Sequence, residues 1–486
     1  MPEKVFFKMH AFRDKRIKGY TNYVKLFDAI DKQREYDEKK IKTLFDKERF
    51  VKHYAVTKHY LYQLILKCLH NYNSDDDTKI YEQLHCALIL YHKALYKECY
   101  KELLKAKKKC YAREKFEQLL KILDFEHRLK EKTSSNIKEL DEIVKEIQDV
   151  LEKLKNTYDY LSTSRKIMNV ITKYGEKSDQ KRNMLYELMS HPLLKNENNC
   201  LTFRARNFYY NIHSAYYFSM KDSVNGYRYA KKQLQLAESN SQHIKENAYG
   251  YIITISNFLA ACHRLKKYNE LEHGIEKIKL FGEALPVKNS EHIQVRLFIS
   301  YINFKLILYI ETAKYEKARV LVNDIKSGFI KYGKNIRPES KYIIYSNIAE
   351  LYFKGGQYRE TINWVNKILN TKMEIREDIQ STARIYNLIS HYELGNEDKV
   401  ESLLNSASRF LNKDHDSYQL ENRVVDFFRK QLLKRQSKPE LKKTFGQFKT
   451  EIEKNKKLNS EEKPSYDSDI ISWIESKVEN RSFAKM

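Results

Sequence analysis

The strongest constraint on the fold is a unit that returns along the chain. Residues 345–369 read YSNIAELYFKGGQYRETINWVNKIL, two short apolar-periodic stretches pinched apart by Gly355 and Gly356. Tyr345, Ile348, Ala349 and Tyr352 stand at i, i+3, i+4, i+7, so they share one helix face. After the glycines Tyr358, Thr361, Ile362, Val365 and Ile368 do the same. The small Ala349 lets the second helix come close, and Tyr358 caps the crossing as a flat wedge. The stretch ARIYNLISHYELGNEDKVESLLNSASRFL, ending at Leu411, repeats the scheme with Gly395 at the turn and Val400, Leu404 and Ala407 on the returning helix. Residues 300–326 repeat it with Ala313 and Tyr315 at the turn and Ala318, Val322 and Ile325 after it. Two weaker copies precede these. Lys266 and Tyr268 turn one, with Leu271 where a small residue is usual; Lys221–Ser223 turn the other, ahead of Gly226 and Ala230. Far upstream, HCALILYHKALYKECYKELLKAKK places Ala87 before the turn, Ala94 and Tyr96 in it, and Cys99, Leu103 and Ala106 facing back.

The five C-terminal turns recur about every 40–47 residues, so the helices are long for a hairpin repeat. Small residue, turn, Tyr, returning helix: this order resembles the tetratricopeptide repeat over about half of the chain. No copy carries the full signature, since the usual Trp and the closing Pro are missing or displaced. The layout is also similar to a group of uncharacterised bacterial helical-repeat proteins, through KHYLYQLILKCL at 58–69 and SWIESK at 472–477; that likeness brings no activity. The resemblance implies an all-α fold, a right-handed superhelical array of antiparallel helix hairpins (a TPR-like α-solenoid), because a lone hairpin leaves apolar surface that only a neighbour can cover. A non-repetitive helical bundle is the alternative.

Scarce breakers point the same way. Only 12 Gly and 6 Pro occur in 486 residues, too few for the tight turns of a sheet-rich fold. Pro192, Pro286, Pro338, Pro439 and Pro464 fall between periodic stretches, where helices begin or end. The six cysteines show no CxxC spacing and lie inside helical patterns, which reads as buried thiols rather than disulfides or zinc ligands. No run approaches 18 uncharged apolar residues, so no membrane span and a cytoplasmic location are expected. The net charge of +25 comes mostly from Lys, with 23 Arg among 90 basic residues. Diffuse Lys excess is weaker evidence for nucleic acid than an Arg-rich patch would be.

Outside the repeats, residues 134–171 carry Ile137, Leu140, Val144, Ile147, Leu151, Leu154, Tyr158 and Leu161 in alternating steps of three and four. That is a heptad seam, with Ser134 or Ser135 as its cap. The preceding stretch, read as one helix over Tyr96–Lys130, offers Leu103, Leu104, Phe116, Leu119, Leu120 and Leu123 as an adjacent antiparallel partner. A dimerisation arm is the alternative. The organisation expected is an N-terminal helical cap at 1–75, a first TPR-like hairpin and long antiparallel helix pair at 76–175, the repeat array at 176–415, and C-terminal basic helices with a capping helix at 416–486.

Chemistry is sparse. The phosphate loops GxxxxGK[ST] and GxGxxG, HExxH and GxSxG do not occur. His85 and His92 lack a carboxylate ligand pattern, and Asp75–Asp77 lacks the spacing of a calcium loop. No catalysis, metal or cofactor is expected. What recurs is Asn211, Asn257, Asn303, Asn347 and Asn387, at intervals of 46, 46, 44 and 40, each on the first helix of its hairpin. In the family resembled, first helices line the concave groove. A ladder of amides there could clamp an extended peptide, since each offers a donor and an acceptor; His263 and Arg264 are the nearby cations. The alternative is Asn richness falling in register by chance. From Arg429 to Lys457 eleven basic residues face three acidic ones. Lys434, Arg435, Lys438, Lys442, Lys443 and Lys449 could meet phosphates while Phe445 and Phe448 stack on bases. The i, i+3 spacing of those rings suits an inward stripe better. The expectation is a non-catalytic protein- or peptide-binding scaffold. A nucleic-acid-associated protein using 429–457, or a scaffold self-assembling through 137–168, are the alternatives.

Overall fold

A computed structural model describes the chain outside residues 1, 14–19, 34, 73–75, 134–135, 174–178, 284–290, 372–376, 413–418, 433–436, 459–464, 482 and 484–486. Among the described residues every regular element is a helix. The chain forms two compact units, Met1–Leu154 and Lys155–Met486.

In the first unit α1 (Pro2–Arg13), α2 (Tyr20–Asp31), α3 (Glu38–Leu44) and α4 (Tyr54–Tyr72) enclose Phe7, Leu26, Ile41, Leu61 and Cys68. Asp37 starts α3 by accepting the Lys40 N–H, which satisfies one of the free amides at a helix start. Helices α5 (Asp76–His92), α6 (Tyr96–Ala112) and α7 (Phe116–Thr133) then pack around Ala87, Cys99, Leu103, Ala106, Cys110 and Leu119. Each fully buried Leu or Ile in such a cluster contributes about 1.5–3 kcal/mol. The helix expected over Tyr96–Lys130 is broken. Glu114 adopts φ 52° and reverses the chain between α6 and α7, though neither Gly nor Pro marks the place. Helix α8 (Ile137–Lys173) finds the internal partner expected of it: Ile147, Val150 and Leu154 pack against the α6–α7 cluster. Lys107 of α6 bridges Glu126 of α7 and Glu146 of α8 at 2.8 and 2.7 Å. The caps expected at Ser134 or Ser135 lie outside the described residues.

In the second unit the end of α8, α9 (Asp179–Met189) and α10 (Pro192–Lys195) supply Tyr160, Ile167, Leu185 and Leu194 to one cluster. Five hairpins follow: α11 (Phe203–Ser219) with α12 (Ser223–Glu238), then, after the short α13 (Ser241–Glu246), α14 (Ala248–Arg264) with α15 (Tyr268–Glu283). The other three are α16 (Glu291–Glu311) with α17 (Tyr315–Tyr332), α18 (Pro338–Lys354) with α19 (Tyr358–Leu369), and α20 (Glu377–Glu393) with α21 (Glu397–Leu411). The chain closes with α22 (Gln419–Phe427), α23 (Lys438–Leu458) and α24 (Ser465–Glu479). Thr202, Asp222, Asn240 and Asn247 cap the starts of α11 to α14 with their side chains. Pro192 and Pro338 open α10 and α18, where a missing N–H costs nothing. Each hairpin packs on the next, α12 on α14, α15 on α16, α17 on α18 and α19 on α20. The first helices also touch one another in series, α14, α16, α18, α20 and then α22.

One turn geometry serves seven helix reversals across the two units. The residue past the first helix sits in the left-handed region: Ala94, Glu114, Lys221, Lys266, Ala313, Gly356 and Gly395, with φ between 52° and 70°. In the best-marked case Gly356 N–H donates to the Phe353 carbonyl (2.9 Å) and Gln357 N–H to Tyr352 (2.8 Å). The other six repeat both bonds, which satisfies carbonyls that the helix end leaves open. Five of the seven residues carry a Cβ, although that conformation costs an L-residue roughly 1–2 kcal/mol.

Helix α16 is the one helix among the described residues whose length and mean hydropathy of 1.4 reach those of a membrane span, which the reading of uncharged runs passes over because Arg296 and Lys305 interrupt it. Half of that window is buried within the unit, where Ile302, Leu306 and Ile310 join the core shared with α17 and α18.

Five of the six cysteines are buried and all are unbridged; Cys86 is exposed, contrary to the buried-thiol expectation, because Ile80 and Ala87 occupy the inward face of α5.

Candidate functional site

The recurring asparagines sit on α11, α14, α16, α18 and α20, the first helices of their hairpins. Asn211, Asn257, Asn303 and Asn347 are half-buried. Asn347 Nδ2–H donates to Asn303 Oδ1 at 2.9 Å, so two successive first helices are joined amide to amide. A hydroxyl pair, Ser256 to Ser300 at 3.0 Å, joins α14 to α16 deeper in the same layer. Asn387 departs from the series. It is buried at 5% exposure, and its Oδ1 has no hydrogen-bond partner among the described residues. It stands eight residues before its left-handed turn residue Gly395, whereas the others stand nine or ten before theirs. At 100° per residue that offset turns it towards the interior.

His263 and Arg264 do not act together. His263 Nε2 lies 3.7 Å from Glu311 Oε1, while the exposed Arg264 stacks its guanidinium over Phe218 at 5.0 Å. Their positions belong to a larger pattern. The residue two before each left-handed turn is Arg264, Glu311, Lys354 and Glu393 in four successive hairpins, so the charge alternates from one to the next.

Lys354 is the centre of that pattern. Its ammonium lies 2.8 Å from Glu350, 3.0 Å from Asp469 of α24 and 3.9 Å from Glu311 of α16. Tyr268 donates to Glu311 at 3.0 Å, and Tyr386 donates to Asp469 at 2.8 Å. His263, with Lys354 and Tyr268 beside it, holds the Glu311 carboxyl down at about 2, against its burial. Burial, reinforced by Glu350, pushes the Asp469 carboxyl up although Lys354 pulls the other way. Burial would lower Lys354, but Glu350 and Asp469 outweigh it and raise the ammonium. Three carboxyl groups share one lysine here, an arrangement that no pattern in the linear sequence announces.

Helix α24 uses this network to dock. Trp473 Nε1–H donates to Glu393 Oε1 at 2.7 Å, and Lys477 donates to Glu393 Oε2 at 2.6 Å. Trp473 is fully buried against Tyr392, Phe428 and Phe445. The chain's own C-terminal helix therefore covers the C-terminal ends of α18 and α20.

The basic segment loses its stacking groups. Phe445 and Phe448 are buried, Phe448 lying flat on Phe427 at 4.0 Å. Lys442 and Lys443 are exposed, and Lys449 binds Glu475 at 3.0 Å. Lys434 and Arg435 lie outside the described residues, as does the Lys438 side chain.

Sequence reading also missed His213, buried between α11 and α12 and stacked on Tyr229 at 4.6 Å. Burial holds its imidazole down at about 4. Among the described residues no group of three His, Cys, Asp or Glu is placed to hold a metal ion. No protein-family model, curated protein or solved structure matches the chain.

Proposed function

We propose that this chain is a non-catalytic binding scaffold, a tetratricopeptide-like right-handed solenoid that holds an extended protein segment on the first-helix face of α11, α14, α16 and α18. The observation that carries the reading is the Asn347–Asn303 hydrogen bond. It aligns amides on adjacent first helices and leaves each with a further donor or acceptor, as a peptide backbone requires. Asn211 and Asn257 extend the row, half-buried and without partners among the described residues. Binding would be passive, with specificity set by the side chains between the amides. The nucleic-acid alternative keeps exposed Lys442 and Lys443 but not the ring stacking it needs.

The test is capture from lysate with the wild-type chain and with Asn257, Asn303 and Asn347 changed together to Ala, at low and high salt, with and without nuclease. A discrete protein held in high salt and after nuclease, and lost from the triple variant, is the expected result. Bound material that is nucleic acid and leaves with salt would sink the proposal, since phosphate contacts weaken steeply as salt rises.

A further inference from the structure

Helix α8 carries more apolar surface than the described residues cover. It is 37 residues long, and its inward face presents Ile143 and Val150 to the interior. Ile137, Val144, Leu151 and Tyr158, seven apart, form a second stripe that is 73, 39, 49 and 48% exposed. Leu140, Ile147, Leu154 and Leu161, one step round the helix, are half-buried. An apolar stripe of this length, repeating at the heptad period, is the seam that another helix packs against.

The charges beside the stripe specify the occupant. Lys138, Asp141, Lys145, Glu152, Lys155 and Asp159 are exposed, and none makes an ion pair among the described residues. They are arranged antisymmetrically about Gln148, each pair matching to within one residue. We infer that α8 pairs with α8 of a second copy of this chain, antiparallel, about a two-fold axis at that point. Val144 of one copy then meets Leu151 of the other, and Ile137 meets Tyr158. Asp141 falls opposite Lys155, Lys145 opposite Glu152, and Lys138 opposite Asp159. Gln148 meets its own copy on the axis, amide to amide. In the parallel arrangement every one of those six charges would face itself, which is repulsive. The complementarity is therefore specific to a self-complementary, closed C2 interface. This goes beyond the binding face of α11–α18 and does not depend on it.

The test is the mass of the full chain by light scattering across the micromolar range. A species of twice 58.3 kDa is expected. Val144→Glu with Leu151→Glu should give a monomer of unchanged helicity, because both side chains are already exposed. Asp141→Lys alone replaces two symmetric attractions by repulsions and should weaken dimerisation roughly tenfold; adding Lys155→Asp should restore it. In a Cys86→Ser background, Gln148→Cys should cross-link on oxidation and Asp141→Cys should not. A monomer throughout, or a dimer indifferent to Val144 and Leu151, would overturn the inference. Equal cross-linking at positions 141 and 148 would overturn the antiparallel register.

Discussion

Within the second unit the same first-helix layer exists in two conditions. At its C-terminal end α20 is enclosed: Ile379 and the residues from Ser381 to His391, apart from Arg384, are buried, with α24 locked across by Asp469, Trp473 and Lys477. At its N-terminal end α11 and α14 keep Asn211, Asn257, Ala260 and Arg264 at or near the surface. Hairpins built on one plan thus meet two surroundings. The covered end converts its first-helix side chains into core, including buried charge, and the open end leaves polar groups at or near the surface. The covered end also shows what chemistry this layer accepts from a helix: an acid, an indole and an amine at four-residue spacing, the acid taken by a tyrosine and a lysine and the other two by one glutamate.

That contrast can be broken in several ways. Lys354→Met should have the largest effect, a loss of about 3–5 kcal/mol in urea unfolding, because it strands buried carboxylates that share one ammonium. Asp469→Asn in the same chain should recover part of the loss. Proton uptake sharpens the same point. A carboxyl raised by folding favours the docked helix while protonated, so α24 should loosen as pH rises through that raised value. Burial sets that value first, then Glu350 and Lys354 of α18 and Tyr386 of α20. Trp473 fluorescence in a Trp364→Phe background reports it, and Asp469→Asn should flatten the curve. Glu311 acts oppositely, its lowered value giving stability above the ordinary carboxylate range that is lost as pH falls towards 2.

Smaller effects belong to the turns. Lys266→Gly relieves a left-handed side-chain residue and should stabilise by up to about 1 kcal/mol, whereas Gly356→Ala should cost a similar amount, read from thermal denaturation. The smallest effect is expected at the open end. Asn257→Ala should change stability by less than about 0.5 kcal/mol, because the half-buried side chain has no partner to lose among the described residues.

These turns also explain what the sequence could disclose. Gly356 and Gly395 announced their reversals, and Tyr at the head of the returning helix helped with Ala94, Lys266 and Ala313. Glu114 gave no sign, because a charged residue at a left-handed turn looks like one more solvated helix position. Helix α8 was read as a heptad, correctly in period, but period alone does not divide its apolar residues between an inner and an outer face. The asparagine row was visible as spacing, and the one-residue slip that buries Asn387 was not. The Lys354 network was invisible, since it joins α14, α16, α18 and α24 over more than two hundred residues.

The most direct test of the central claim is selection from a random peptide library against the wild-type chain, followed by titration of the winning peptides into the Asn257, Asn303 and Asn347 triple Ala variant. Peptides that bind the wild type in high salt, lose at least tenfold with the triple variant, and bind unchanged after Lys442→Ala and Lys443→Ala would bear out an open peptide-binding face. Peptides that ignore the asparagines, or follow the lysines and leave with salt, would contradict it.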